Sequence, residues 1–153
     1  MRVLKVRKLV RNYRKSMVKE SEDDIKVLKG ISFDVVKGEF VGVMGRSGCG
    51  KSTLLRTLGM IDKPTAGKIF FMGQDTSKVY GDKLAEIRNK KIGFIFQDFY
   101  LMDSLSVEEN IMLPMILSNR KLKEMEEKCN HLAKQFQIDH LLRKNPYEFA
   151  YVR

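Results

Sequence analysis

The chain has 153 residues, with 29 lysines and arginines against 19 acidic residues, for a formal net charge of +10. That length suits one domain, or most of one, able to bury about two-thirds of its unfolded surface. No apolar run approaches the eighteen or so residues of a membrane span, since Pro114 breaks the longest near Ile111 to Leu117, and no signal-peptide core opens the chain, so any membrane role is expected to come through a partner. At the start, Arg2, Lys5, Arg7, Lys8, Arg11, Arg14, Lys15 and Lys19 interleave with Val3, Leu4, Val6, Leu9 and Val10. This predicts a strand with one wet face, ending near Tyr13. So basic a stretch raises nucleic-acid binding. No aromatic ladder accompanies it for stacking bases, so a solvated face, near acidic lipid head groups, is the favoured reading and no specific nucleic-acid partner is expected. Ser16 to Asp24 read as a polar connection. Ile31, Phe33 and Val35 then alternate with Ser32 and Asp34, a half-buried strand, and Lys37-Gly38 marks a turn.

Phe40, Val41, Val43 and Met44 read as a short buried strand, which breaks into a glycine-rich loop. The loop runs Gly45, Arg46, Ser47, Gly48, Cys49, Gly50, Lys51, Ser52, Thr53 and fits the phosphate-cradling pattern at every fixed position. Its glycines let the backbone fold tightly, so that successive N–H groups point inward at phosphates. Leu54, Leu55, Leu58 and Ile61 follow at helical spacing, and a helix start there favours an anion through its unpaired N–H groups and dipole. Lys51 would face the β- and γ-phosphates of a nucleotide, and the Ser52 hydroxyl would ligate Mg²⁺. Cys49 stands at a variable position of the loop. With Cys129 it forms neither a metal spacing nor a disulfide framework, which points to a reducing cytoplasm.

Beyond the first helix, Lys63-Pro64 and Gly67 mark a loop and Ile69 to Met72 another strand. Leu84 and Ile87 predict a short helix, and Ile92 to Phe96 a strand that ends at Gln97. From there the pattern is helical. Ser106 with Glu109 predicts a capping box opening a helix that Pro114 kinks or ends. Leu122, Met125, Cys129, Leu132 and Phe136 form one apolar stripe on a second helix, expected to be core, with His131 and His140 on the surface.

The residues resemble the ATP-binding subunits of ABC transporters over essentially the whole chain. The resemblance is carried by GRSGCGKST at 45 to 53, PTAGKI at 64 to 69 and IGFIFQDFYLMDSLSVEENI at 92 to 111. The wording is similar to the branch serving lipoprotein release, macrolide export and antimicrobial-peptide transport. The resemblance implies an α/β fold: a P-loop NTPase (RecA-like) core with an N-terminal antiparallel β subdomain, and a helical subdomain. It implies a division into residues 1–97, the nucleotide core, and 98–153, the helical subdomain. It also implies ATP and Mg²⁺ as cofactors, a transporter membrane subunit and a second, head-to-tail ATP-binding subunit as partners, and a place at the inner face of the cell membrane. Tyr13 resembles the aromatic residue that stacks on adenine, and Gln97 the glutamine that reaches Mg²⁺ and senses the γ-phosphate. The helices from Ser106 onward would border the groove that receives a transporter's coupling helix.

The pattern departs from the family at its end. Asn145-Pro146-Tyr147-Glu148-Phe149 resembles the approach to the signature motif, yet Ala150-Tyr151-Val152-Arg153 stands where Ser-Gly-Gly-Gln is expected. The acidic strand that orients Mg²⁺, the catalytic glutamate and the switch histidine are not in the chain. The expectations are a truncated or frameshifted product, an incomplete parallel sheet with a gap beside Val41, Val43, Phe94 and Phe96, and binding of nucleotide without efficient hydrolysis. The alternative is a non-hydrolysing binding or interaction module completed by a separate second half.

Overall fold

The computed structural model describes residues 1–14, 24–97 and 100–148. Ser16 to Asp23 of the expected polar connection and the departure at Phe149 to Arg153 lie outside them, and Asp24, expected at the end of that connection, opens a strand. The chain forms two compact units, Met1–Arg88 and Asn89–Arg153, divided ahead of Gln97.

The first unit is built on an antiparallel sheet in the order β2-β1-β3-β4, from β1 (Arg2–Arg14), β2 (Asp24–Val36), β3 (Ala66–Phe71) and β4 (Gln74–Asp75). The antiparallel β subdomain expected from the sequence is therefore present. Val6 and Leu9, three residues apart, cannot share a face of a regular strand, because side chains alternate with a period of two. A register shift between them resolves the conflict. Lys8 takes a φ of 46°, and its amide donates to Ser32 Oγ at 2.7 Å instead of to a ladder carbonyl. Opposite stands Gly67 at φ 87°, where a Cβ would collide with the Lys8 carbonyl. Val6, Leu9, Leu28 and Ile69 then bury one face against Leu54 of α1 (Lys51–Leu58). Each such side chain contributes about 1.5–3 kcal/mol of burial.

The two strands expected of a parallel sheet are not formed. Residues 40–44 and 92–96 pair with no strand among the described residues. Phe40 is 99% exposed, Met44 95% and Ile95 99%. Parallel strands are found with both faces covered and at least one neighbour on the ladder, and these segments have no ladder partner among the described residues. Phe96 instead packs locally between Phe94 and Tyr100, at ring-centroid distances of 4.5 and 4.7 Å.

Helix α2 (Gly81–Lys91) carries the chain across the division. In the second unit, α3 (Val107–Ile116) packs on α4 (Leu122–Gln135). The capping box forms as expected: Glu109 N donates to Ser106 Oγ at 3.2 Å, and Ser106 N to Glu109 Oε2 at 2.7 Å. Leu142 and Lys144 carbonyls accept from the amides of Glu108 and Val107, so the first donors of α3 are paired. Pro114 does not end α3, which runs two residues further before Asn119, at φ 53°, turns the chain away. The apolar stripe of α4 is core only in its middle. Met125 and Cys129 are buried, as is Ala133, while Leu122 and Phe136 are 61% and 67% exposed. His131 and His140 are exposed.

Candidate functional site

The glycine-rich loop ends on the first turn of α1, as expected. Gly50 is the N-cap at φ 98° and ψ 14°, a left-handed conformation that disfavours any side chain. A Cβ there would also lie 2.8 Å from Val27 Cγ1, so the loop rests tightly on β2. The turn is closed by Cys49 N donating to Arg46 O at 3.3 Å, and the first helical bond runs from Leu54 N to Gly50 O at 2.8 Å.

Between those two bonds the amides of Lys51, Ser52 and Thr53 find no acceptor among the described residues. No side chain caps them, and no acidic residue stands in the first turn. Helix α3 shows the contrast, since its opening donors are met by a serine, a glutamate and two carbonyls. Three free donors at a helix start make a site for an anion. Lys51 adds a cation to the same place. Its Nζ donates to the carbonyls of Gly45 at 2.8 Å and Arg46 at 2.9 Å, and lies 4.0 Å from Cys49 Sγ. Amides and an ammonium, with no carboxylate among them, fit a polyphosphate and repel a bare cation. Ser52 is exposed at the rim, where its hydroxyl could join the ligands of a Mg²⁺ carried in with the phosphates.

Tyr13 stands at the end of β1, paired with Ile25 of β2. Its hydroxyl donates to Asp62 Oδ2 at 3.0 Å, and the Arg11 guanidinium lies over its ring, 4.4 Å from the centroid. Asp62 also accepts from Arg56 Nε at 3.0 Å and Nη2 at 3.2 Å. The Arg56 bonds above all, and the Tyr13 bond after them, hold the Asp62 carboxyl below its usual range against the opposing effect of burial. Asp62 and Arg56 carry no legible signal in the sequence, because a spacing of six across a helix end is not a helical pair. Gln97 is exposed in the second unit, and the phosphate loop belongs to the first.

The sequence profile of the ABC transporter family matches residues 28–151. The lipoprotein-releasing system ATP-binding protein LolD of Aquifex aeolicus is 37% identical over 150 residues, which are 98% of this chain and 62% of that protein. The bacitracin export ATP-binding protein BceA of Halalkalibacterium halodurans is 43% identical over 124 residues, 81% of this chain and 49% of that protein. The dimeric ATP-binding cassette MJ0796, solved in a post-hydrolysis state bound to ADP and Pi, superposes with a TM-score of 0.83 at 33% identity, over 94% of this chain and 62% of that one. The chain spans about half the length of the curated relatives it matches. It belongs to the ABC transporter family, in the branch of ATP-binding proteins that holds LolD and BceA.

Proposed function

We propose that the chain is the N-terminal part of an ABC transporter's ATP-binding subunit and holds Mg·ATP at Gly45–Thr53. The observation that carries this is the trio of free amides at the start of α1 beneath the Lys51 ammonium. On binding, Lys51 exchanges two neutral carbonyl acceptors for the anionic β- and γ-phosphates, a stronger pairing. The Ser52 hydroxyl and the Gln97 carboxamide oxygen would ligate Mg²⁺, which when bound neutralises charge on the phosphate oxygens. Tyr13 would give the base an aromatic face. The nucleotide core, residues 1–97, would hand the presence of the γ-phosphate to the helical subdomain, residues 98–153, at Gln97.

In the whole protein this part would couple ATP binding and hydrolysis to transport. Its partners would be a membrane subunit and a second ATP-binding subunit, at the inner face of the cell membrane. The dimeric state of MJ0796 supports the second partner. Alone, the 153-residue chain binds without efficient turnover. The loop supplies positioning and charge for the phosphates, but the chain holds no group that the resemblance would assign to placing the attacking water. A second reading, a non-hydrolysing module completed by a separate half, rests on the same observation. Equilibrium binding of labelled ATP, run beside a turnover assay, tests both. Saturable, Mg²⁺-dependent binding with no turnover is expected. A folded chain without affinity for Mg·ATP would end the proposal, and turnover lost in Lys51→Ala would overturn the claim that hydrolysis is missing.

A further inference from the structure

We infer that Asp62, itself held by Arg56, positions Tyr13 for the nucleotide base; the inference rests on the ATP-binding reading above. Tyr13 is fixed at two places. Its hydroxyl is tied to Asp62 Oδ2 at 3.0 Å, and one ring face is backed by the Arg11 guanidinium at 4.4 Å. Asp62 cannot follow a moving ring. Its side chain is 15% exposed, both carboxylate oxygens accept from the Arg56 guanidinium, and its own amide donates back to Arg56 O at 3.3 Å. Ile61 N donates to the same carbonyl at 2.9 Å, and Met60, at φ 58°, folds the chain tightly onto the end of α1.

Arg11 adds a second mark of a built site, because its Nε is buried without a hydrogen-bond partner among the described residues. The guanidinium is kept against the aromatic ring at that cost, and its charge also acts on the Asp62 carboxylate that holds the Tyr13 hydroxyl. The purine would take the opposite ring face, in the order guanidinium, phenol, base. A ring already immobilised loses no rotational freedom when the base arrives, so its stacking is realised in full. Arg56 lies in α1, the helix that also carries Lys51, so one rigid element bears both the phosphate cradle and the tether of the base platform. Asp62 is thus a positioning residue that acts through Tyr13.

The test compares Mg·ATP with Mg·tripolyphosphate, which shares the phosphates and lacks the base, on the 153-residue chain. Tyr13→Phe keeps the ring and removes the tether. It should bind ATP about tenfold more weakly and tripolyphosphate unchanged, since a hydrogen bond to a carboxylate corresponds to about that factor. Asp62→Ala should weaken ATP to a similar extent, and the double variant should be no weaker than either single one. Three results overturn the inference: full ATP affinity in Tyr13→Phe, single losses that multiply in the double variant, or an equal fall for tripolyphosphate. If the unaltered chain binds both ligands equally, the base plays no part, so this inference and the base-stacking role of Tyr13 fail while phosphate binding at the loop stands. If it binds neither, the ATP-binding reading fails and takes the inference with it.

Discussion

Lys51 and Gly50 bear the phosphate site by different means, and their substitutions separate accordingly. Lys51→Met removes a charge that the fold does not need, since its present acceptors are exposed loop carbonyls. Binding of Mg·ATP should weaken at least about tenfold with little change in melting temperature, read by titration calorimetry and a thermal scan. Gly50→Ala strains a left-handed residue and drives a Cβ into Val27. It should cost about 1–3 kcal/mol of stability, measured by urea unfolding, and weaken ATP as well. At Asp62 the outcome depends on pH. A carboxyl held low in the folded chain stabilises fully above its unfolded value of about 3.9, and that contribution disappears as pH falls through the lower folded value. Melting temperature should therefore fall more steeply between about pH 5 and about pH 2 in the unaltered chain than in Asp62→Asn. An identical acid slope in the two would show that the carboxylate does not stabilise the fold. The loop was legible in the sequence because its chemistry is local, with every fixed position inside ten consecutive residues. Asp62 was not, because its partners come from another strand and from across a helix end.

The elements divide along the same line. Capping chemistry reads directly from sequence, and Ser106→Ala should lower stability by about 1 kcal/mol in a urea titration of the whole chain, through loss of the hydroxyl that accepts from Glu109 N, while the amide of residue 106 can still donate to Glu109. Strand β1 was legible as a strand, but its bulge was not. Only the shared burial of Val6 and Leu9 shows that the alternation must slip at Lys8, and only the clearance at Gly67 shows where the slip fits. The apolar runs at residues 40–44 and 92–96 carry strong strand signals and yet form none. A strand is a property of two segments, and propensity reports one. For α4, periodicity gave the right face and too great a length, since Leu122 and Phe136 continue the stripe beyond what α3 covers.

Over the whole molecule, these uncovered apolar residues should govern how the chain behaves in solution. Phe40 is nearly fully exposed, so Phe40→Ser should leave the unfolding midpoint almost unchanged, within about 0.5 kcal/mol, and still reduce light scattering at high concentration. Unchanged scattering would mean that this face is not the sticky one. Fold class and membership of the branch followed from motifs at residues 45–53, 64–69 and 92–111. What each unit does with its edges was beyond composition and periodicity, which carry no information on which segments pair.

Helix α1 has the phosphate loop at one end, Arg56 in its last turn and Asp62 just beyond the other end, and it is eight residues long. At the rise of an α-helix that is about 12 Å. It works as a fixed gauge. Under the proposed ATP site, Lys51 and the tether of Tyr13 are thereby tied to one rigid element, so a nucleotide with a shortened phosphate chain should engage the ammonium and the aromatic ring together less well than ATP. Discrimination by length would then need no moving part.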